Sequence, residues 1–182
     1  MIYEEMREKL RNSKCHPYLS LQSSCATLEK AVNIVTDKPL NCVIEIGTYQ
    51  GLSTAILARL SDRVFTFDIC HRNCEYVWDI LGIRDRIQMF VSTREFIEYE
   101  INFYFRTDWV KQNTVVPFNF AFIDGDHTYE GIKADFELVK FTKRVLFHDY
   151  AIAPEVQAFC KEIGAKQVED LNFAYWENRE AT

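Results

Sequence analysis

The sequence predicts one α/β domain, a seven-stranded, mostly parallel sheet with helices on both faces. Three observations lead there. Short apolar runs alternate with segments whose apolar residues recur at helical spacing, and that alternation implies crossovers between parallel strands. The first run turns through two glycines directly into a helix across residues 43–60, VIEIGTYQGLSTAILARL. The chain has 182 residues, 48% of them hydrophobic, which fills one core and is short for two.

The elements follow in order. Residues 3–12 and 22–36 read as helices; Ser23 or Ser24 can cap the second, and Leu28, Ala31, Val32 and Val35 form its buried stripe. Pro39 ends this lead-in, so residues 1–38 precede a core of 39–182. After the first strand, Gly47 and Gly51 form the turn, Ser53 or Thr54 caps the helix, and Ile56, Leu57 and Leu60 give it an apolar face. Residues 63–69 are the second strand. Cys74, Val77, Trp78 and Leu81 mark a helix that Gly82 stops, and 86–91 are the third strand.

Between Phe96 and Trp109, six aromatics fall within fourteen residues, with Ile97 and Ile101 continuing a helical stripe. One helix face cannot bury them all, and the surplus is expected at a homodimer interface or in the core rather than in a pocket. Residues 113–117 are a loop, and 118–123, apolar but for Asn119, are a central fourth strand. Thr128 caps a helix carrying Tyr129, Ile132, Phe136 and Val139. The fifth strand, 143–147, runs into His148-Asp149. Pro154 opens a helix that Gly164 closes, and 166–171 and 173–177 are two short, tightly joined strands.

Charge and composition narrow the function. A net charge of −6 disfavours a phosphate backbone as main partner, so nucleic acid is not the expected substrate. No apolar run reaches the length of a membrane span, and the opening MIYEEMR lacks a signal-peptide layout; the expected location is cytoplasmic. The six cysteines are scattered, and Cys70-His71-Arg-Asn-Cys74 has no second pair to complete a zinc site. Free thiols in a reducing compartment are expected.

The glycine turn brings backbone to a ligand, and the helix start offers unpaired N–H groups to a carboxylate or phosphate. A dinucleotide fingerprint needs glycine where Tyr49 and Leu52 stand, and a P-loop needs Gly-Lys-Ser/Thr where Gly51-Leu52-Ser53 stands, so both are excluded. Asp68 falls about twenty residues past the turn at a strand's carboxyl end, where a carboxylate can accept both hydroxyls of a ribose; the alternative is a helix-capping Asp.

Glu45-Ile-Gly-Thr-x-x-Gly-x-Ser-Thr54 resembles the first motif of class I S-adenosylmethionine-dependent methyltransferases. Phe65-Thr-Phe-Asp68 is similar to that family's second strand ending in an acid. Phe122-Ile-Asp-Gly-Asp-His-Thr-Tyr-Glu-Gly131, followed by Lys133-Ala-Asp-Phe136, and Val145-Leu-Phe-His-Asp-Tyr150 resemble the fourth- and fifth-strand motifs of its small O-methyltransferase-like branch. The resemblance implies a Rossmann-like single domain with an antiparallel final strand pair. It implies a cofactor, S-adenosylmethionine, met by Glu45, Gly47, Thr48, Gly51, Ser53, Asp68, Ile69 and Asp124. Ser92 and Thr93 stand where the family often has an acid beside the adenine and are expected to meet the cofactor there by hydrogen bonds, though not as a carboxylate; Phe141–Arg144 replace the family's Pro-Gly-Gly turn.

Asp124, Asp126, His127, His148 and Asp149 would meet at two adjacent strand ends, and the three carboxylates repel unless protons or a cation intervene. By resemblance, a divalent metal would be held by Asp124, Asp149 and His148. The family usually has oxygen donors in that pair, so an imidazole at His148 tells against magnesium and leaves manganese, iron or no metal open. His127 and His148 are the candidate catalytic bases, with His127 favoured, because His148 is either a ligand or a support for Asp124. The expected function is methylation of a hydroxyl on a small-molecule acceptor. The rivals are a cofactor-binding protein without transferase activity, a metal-dependent hydroxylase or hydrolase on the same scaffold, and a protein or nucleic-acid methyltransferase.

Overall fold

A computed structural model describes residues 2–11, 13, 23–37, 39–102 and 118–179. Helices α1 (Ile2–Arg11) and α2 (Ser23–Val35) precede β1 (Leu40–Ile46). Then come α3 (Leu52–Leu60), β2 (Ser61–Asp68), α4 (Glu75–Leu81), β3 (Ile87–Val91), α5 (Arg94–Glu100), β4 (Phe118–Ile123) and α6 (Tyr129–Val139). The order closes with β5 (Arg144–His148), α7 (Pro154–Glu162), β6 (Lys166–Gln167) and β7 (Phe173–Glu177).

The seven strands form one sheet in the order β3-β2-β1-β4-β5-β7-β6. The first five pair in parallel, and β7 runs antiparallel to both β5 and β6. The expected sheet and its reversed final pair are therefore present. Chain direction diverges between β1, which feeds β2 on one side, and β4, which feeds β5 on the other, so a crevice opens at their carboxyl ends.

The period of two along the central strands divides the core. Val43, Phe120, Phe122 and Leu146 pack beneath α1–α4, against Met6, Leu28, Ile56 and Trp78. Ile44, Ala121, Val145 and Phe147 pack beneath α5–α7, against Ile97, Phe136, Val156 and Phe159. Both faces are apolar, which explains why β1 and β4 are largely hydrophobic, broken only by Asn41 and Glu45 in β1 and Asn119 in β4.

Two local expectations differ. Neither Ser53 nor Thr54 caps α3: Gly51 is the N-cap, with no side-chain cap, and the Thr54 hydroxyl donates instead to a buried carboxylate. The expected strand at 166–171 is only Lys166–Gln167, since Val168 turns to bond back to Phe173. In the aromatic segment, α5 buries Ile97 while Phe96 and Tyr99 face outward, at 49% and 55% exposure. Phe103, Tyr104, Phe105 and Trp109 lie outside the described residues. Thr128 does cap α6, accepting from the Gly131 N–H at 3.1 Å.

Candidate functional site

The turn after β1 is shaped by close chain-to-chain contact. Gly47 has φ +99, and a Cβ there would lie 2.2 Å from the Asp124 carbonyl oxygen. Gly51 has φ +74, and a Cβ there would lie 2.7 Å from Cys74 Cβ and from Trp78 Nε1, which donates to the Gly51 carbonyl at 2.8 Å. The two glycines thus let β4's loop and α4 press against the turn, a role the sequence alone assigned to ligand approach. Between them Tyr49 adopts φ 46, an uncommon conformation for an aromatic residue, with the Arg72 guanidinium carbon 4.9 Å from its ring centroid.

Glu45 lies beneath this turn, wholly buried. One carboxyl oxygen accepts from the Thr54 and Thr66 hydroxyls, and Thr66 also meets Thr48 at 2.6 Å. The other, Oε1, has no hydrogen-bond partner among the described residues. Burial pushes the Glu45 carboxyl up to about 7; the Thr54, Thr66 and Ser53 hydroxyls work against that rise, and the nearby Asp124 adds to it.

Asp68, at the end of β2, accepts from the Tyr49 N–H at 2.8 Å and the Cys70 N–H at 2.9 Å. It ties the β1 turn to the β2 turn, so its carboxylate is a loop brace before any ligand is considered. Beside it opens a cleft of about 550 Å³ walled by Gly47, Asp68, Ile69, Arg94, Asp124 and Asp135, among others. Ile69 is 75% exposed on its rim.

The β4 and β5 ends bring four groups together. His148 Nδ1 sits 2.7 Å from Asp124 Oδ1. From the other side His127 Nε2 lies 3.4 Å from the same oxygen and 3.2 Å from Asp149 Oδ2. Asp149 has φ 56 and accepts from Asn172 Nδ2 at 2.8 Å. Burial opposes ionisation of Asp124, yet hydrogen bonds from His127 and His148 prevail and hold its carboxyl below its ordinary value. The Asp124 hydrogen bond raises His127. For His148, burial works downward and is outweighed by Asp124, so its pKa is raised as well.

Of the expected site residues, Gly47, Asp68, Ile69 and Asp124 line the cleft. Thr48, Ser53, Asp124 and His148 line a smaller neighbouring cavity of about 40 Å³. Glu45, beneath the turn, and Gly51, at its end, fall outside both linings. Ser92 donates its N–H to the Asp68 carbonyl, and Thr93 precedes α5; neither is in the cleft wall, where Arg94 stands instead. Among the described residues, Asp124, His127 and Asp149 have donor atoms that all lie within 4.8 Å of one another, and the expected ligand His148 borders the same group, its Nδ1 2.7 Å from Asp124 Oδ1 and 3.4 Å from Asp149 Oδ1. Sequence reasoning also missed Arg94, ion-paired to buried Asp135 at 2.6 Å, and Cys25 of α2, which lines the smaller cavity. Pairing over forty residues leaves no local signal; the helical stripe of α2 was the only pointer to Cys25.

A methyltransferase-domain family model matches residues 44–150, more than half of the chain and including every motif above. The chain belongs to the methyltransferase-domain family. That membership agrees with the expected enzyme class, an S-adenosylmethionine-dependent methyltransferase. No curated protein sequence matches the chain. Among solved structures, a cofactor-bound protein from MTB has a TM-score of 0.65 at 18% identity, with 97% of this chain and 90% of that one covered. An O-methyltransferase from Bacillus cereus in complex with SAH has a TM-score of 0.64 at 15% identity, covering 96% and 91%. The O-methyltransferase TomG from Streptomyces achromogenes, involved in tomaymycin synthesis and in complex with SAM, has a TM-score of 0.62 at 14% identity, covering 96% and 87%. At these identities the likeness is one of fold.

The methyltransferase's cleft suits a nucleoside-sized ligand in volume, since small-molecule sites run to several hundred Å³. Each Asp68 oxygen accepts one N–H and has capacity for another donor. A divalent ion also fits the chain's chemistry: Asp124, His127 and Asp149 offer two carboxylates and an imidazole, a donor set closer to manganese or iron than to magnesium. None of the methyltransferase's described helices is long and apolar enough to cross a membrane.

Proposed function

We propose that this protein methylates a hydroxyl of a small molecule, using S-adenosylmethionine seated in the cleft between the β1, β2 and β4 ends. The observation that carries the reading is that Asp124 walls both the cleft and the smaller cavity, so one residue touches the cofactor side and the acceptor side. Gly47, Asp68 and Ile69 are the proposed cofactor contacts. The cofactor supplies an activated methyl group. The chain's work is to hold the acceptor oxygen in line and to receive its proton. His127 and His148 both rest on Asp124, which favours the protonated imidazole. The acidic net charge supports a small acceptor over nucleic acid, and the exposed Phe96 and Tyr99 support a homodimer contact.

A second reading keeps the methyl transfer and adds a divalent metal on Asp124, His127 and Asp149, favoured by the convergence of their donor atoms. There the ion would lower the acceptor hydroxyl's pKa.

Calorimetric titration with S-adenosylmethionine, with and without chelator, tests both. Micromolar binding that Asp68→Ala abolishes is expected, and sensitivity to chelator selects the metal reading. A folded wild type that binds no cofactor in either condition overturns the proposal.

A further inference from the structure

The smaller cavity has a chemistry of its own. Its volume, about 40 Å³, exceeds what one water molecule needs. Cys25 and Leu28 of α2 and the rings of Phe122 and Phe173 wall it, with Tyr49 between it and the cleft. His148 stands at its polar end, 8% exposed. The imidazole's Nδ1 is committed to Asp124, and its ring is flanked by Phe122 and Phe173 at centroid distances of 6.3 Å and 5.1 Å. The opposite nitrogen, Nε2, is buried with no hydrogen-bond partner among the described residues. A buried polar atom left in that state requires a ligand or an ordered water.

We propose that this cavity seats the hydroxyl of an uncharged acceptor, with His148 Nε2 as its hydrogen-bond partner. The inference rests on the methyl-transfer reading above and adds the acceptor's chemical class and its entry side, between α2 and the β1 turn. A hydroxyl both donates and accepts, so it satisfies Nε2 whichever protonation state the ring holds. A carboxylate or phosphate would bring a second negative charge beside Asp124, with buried Glu45 close behind. That local field is already felt at Cys25, whose thiol burial pushes up to about 12 with Asp124 and Glu45 adding to the rise. Leu28, Phe122 and Phe173 suit the carbon next to an alcohol oxygen, and the side chains of Thr48, Gln50 and Ser53 in the same wall are polar but bring no positive charge to offset an anion.

The test uses the full chain labelled with ¹⁵N, the His148 ring nitrogens being assigned by comparison with His148→Gln. Benzyl alcohol and benzoate are titrated separately as probes, and S-adenosylhomocysteine binding is followed by calorimetry. Benzyl alcohol is expected to shift the Nε2 resonance saturably and to bind about tenfold or more tightly than benzoate, the scale of one buried hydrogen bond. Cys25→Phe, which fills the cavity, should remove that shift while changing S-adenosylhomocysteine affinity less than about twofold. Absence of a saturable shift, an equal response to benzoate, or a shift that survives Cys25→Phe overturns the assignment. If S-adenosylhomocysteine binds while the alcohol does not, the cavity proposal falls and the methyl-transfer reading stands. If the cofactor product does not bind, that reading falls, and the alcohol shift alone still decides whether the cavity takes a hydroxyl. Should Cys25→Phe fail to fold, the wild-type contrast between alcohol and benzoate carries the decision.

Discussion

Gly47 and Asp124 interlock: the space a Cβ would need on Gly47 is taken by the Asp124 carbonyl oxygen, 2.2 Å away. Two hydrogen bonds flank the contact, from the Gly47 N–H to the Phe67 carbonyl and from the Asp124 N–H to the Ile46 carbonyl, each 2.8 Å. The turn proposed to hold the cofactor and the residue proposed to face the acceptor are therefore one rigid unit, and neither can shift without the other.

Gly47→Ala should break that unit. The added methyl meets backbone, which cannot rotate away, and φ +99 is strained for any L side chain. A loss of about 2–4 kcal/mol in stability is expected, together with cofactor affinity at least about tenfold weaker. Thermal melts and calorimetry read both. A variant that melts and binds like the wild type would show that the strand ends can separate freely.

Glu45→Gln tests the buried carboxyl. The folded value, about 7, is raised above the ordinary 4.5, so between those pH values the folded chain holds a proton that the unfolded chain has released. Stability from this group is thus full below about pH 4.5 and is lost as pH rises to about 7, by up to about 3 kcal/mol. The amide does not titrate. Glu45→Gln should match the wild type near pH 5 and melt higher at pH 8, where removal of the buried charge helps. His127 and His148 titrate in both proteins, so the difference between the two melting curves isolates Glu45. Parallel curves across this range would refute the raised value.

The parts legible in the sequence were those fixed by neighbours in the chain. β4 was read at its observed bounds because both its faces are buried, and Thr128 because its cap partner is three residues away. Ser53 and Thr54 were misread as caps because α3 already begins at Leu52, and because the Thr54 hydroxyl answers to Glu45, a residue on the preceding strand and across the turn. Gly131 belongs to a recognisable motif, yet its physical reason, an Asp126 carboxyl carbon 2.2 Å from where its Cβ would lie, appears only in three dimensions. The same holds for the two histidines. Spacing places both beside Asp124, but only ring orientation shows that His148 turns Nδ1 to the Asp124 and Asp149 carboxylates and Nε2 to the smaller cavity, while His127 meets the same two carboxylates through its Nε2.

That orientation separates the histidines in a metal test. If an ion binds at Asp124, His127 and Asp149, His127→Ala removes a donor and should weaken Mn²⁺ binding by about tenfold or more, whereas His148→Gln removes only a support. Electron paramagnetic resonance of free Mn²⁺ counts the bound fraction directly. A larger loss in His148→Gln than in His127→Ala would return His148 to the ligand set.

Arg94 and Asp135 give the last prediction. Asp135 is nearly buried, its side chain 3% exposed, and it lies beneath the Gly125–Asp126 turn that follows Asp124. Burial raises its carboxyl to about 6, while Arg94 at 2.6 Å and the Asp126 N–H favour the charged form. Arg94→Ala leaves that carboxylate without its cation, and because Arg94 is 40% exposed the loss should be about 2 kcal/mol, below the range for a fully buried pair. The sign follows from the direction of the shift. Without Arg94 the folded acid holds its proton to higher pH than the unfolded chain, so the penalty is small at pH 5, where the acid stays neutral, and full at pH 8. Arg94→Ala with Asp135→Asn removes the charge altogether and should recover most of the loss at pH 8. Melting temperatures of the two variants at both pH values decide the matter: a penalty independent of pH, or no recovery in the double variant, would mean that Arg94 acts by packing against α6 and not by neutralising Asp135.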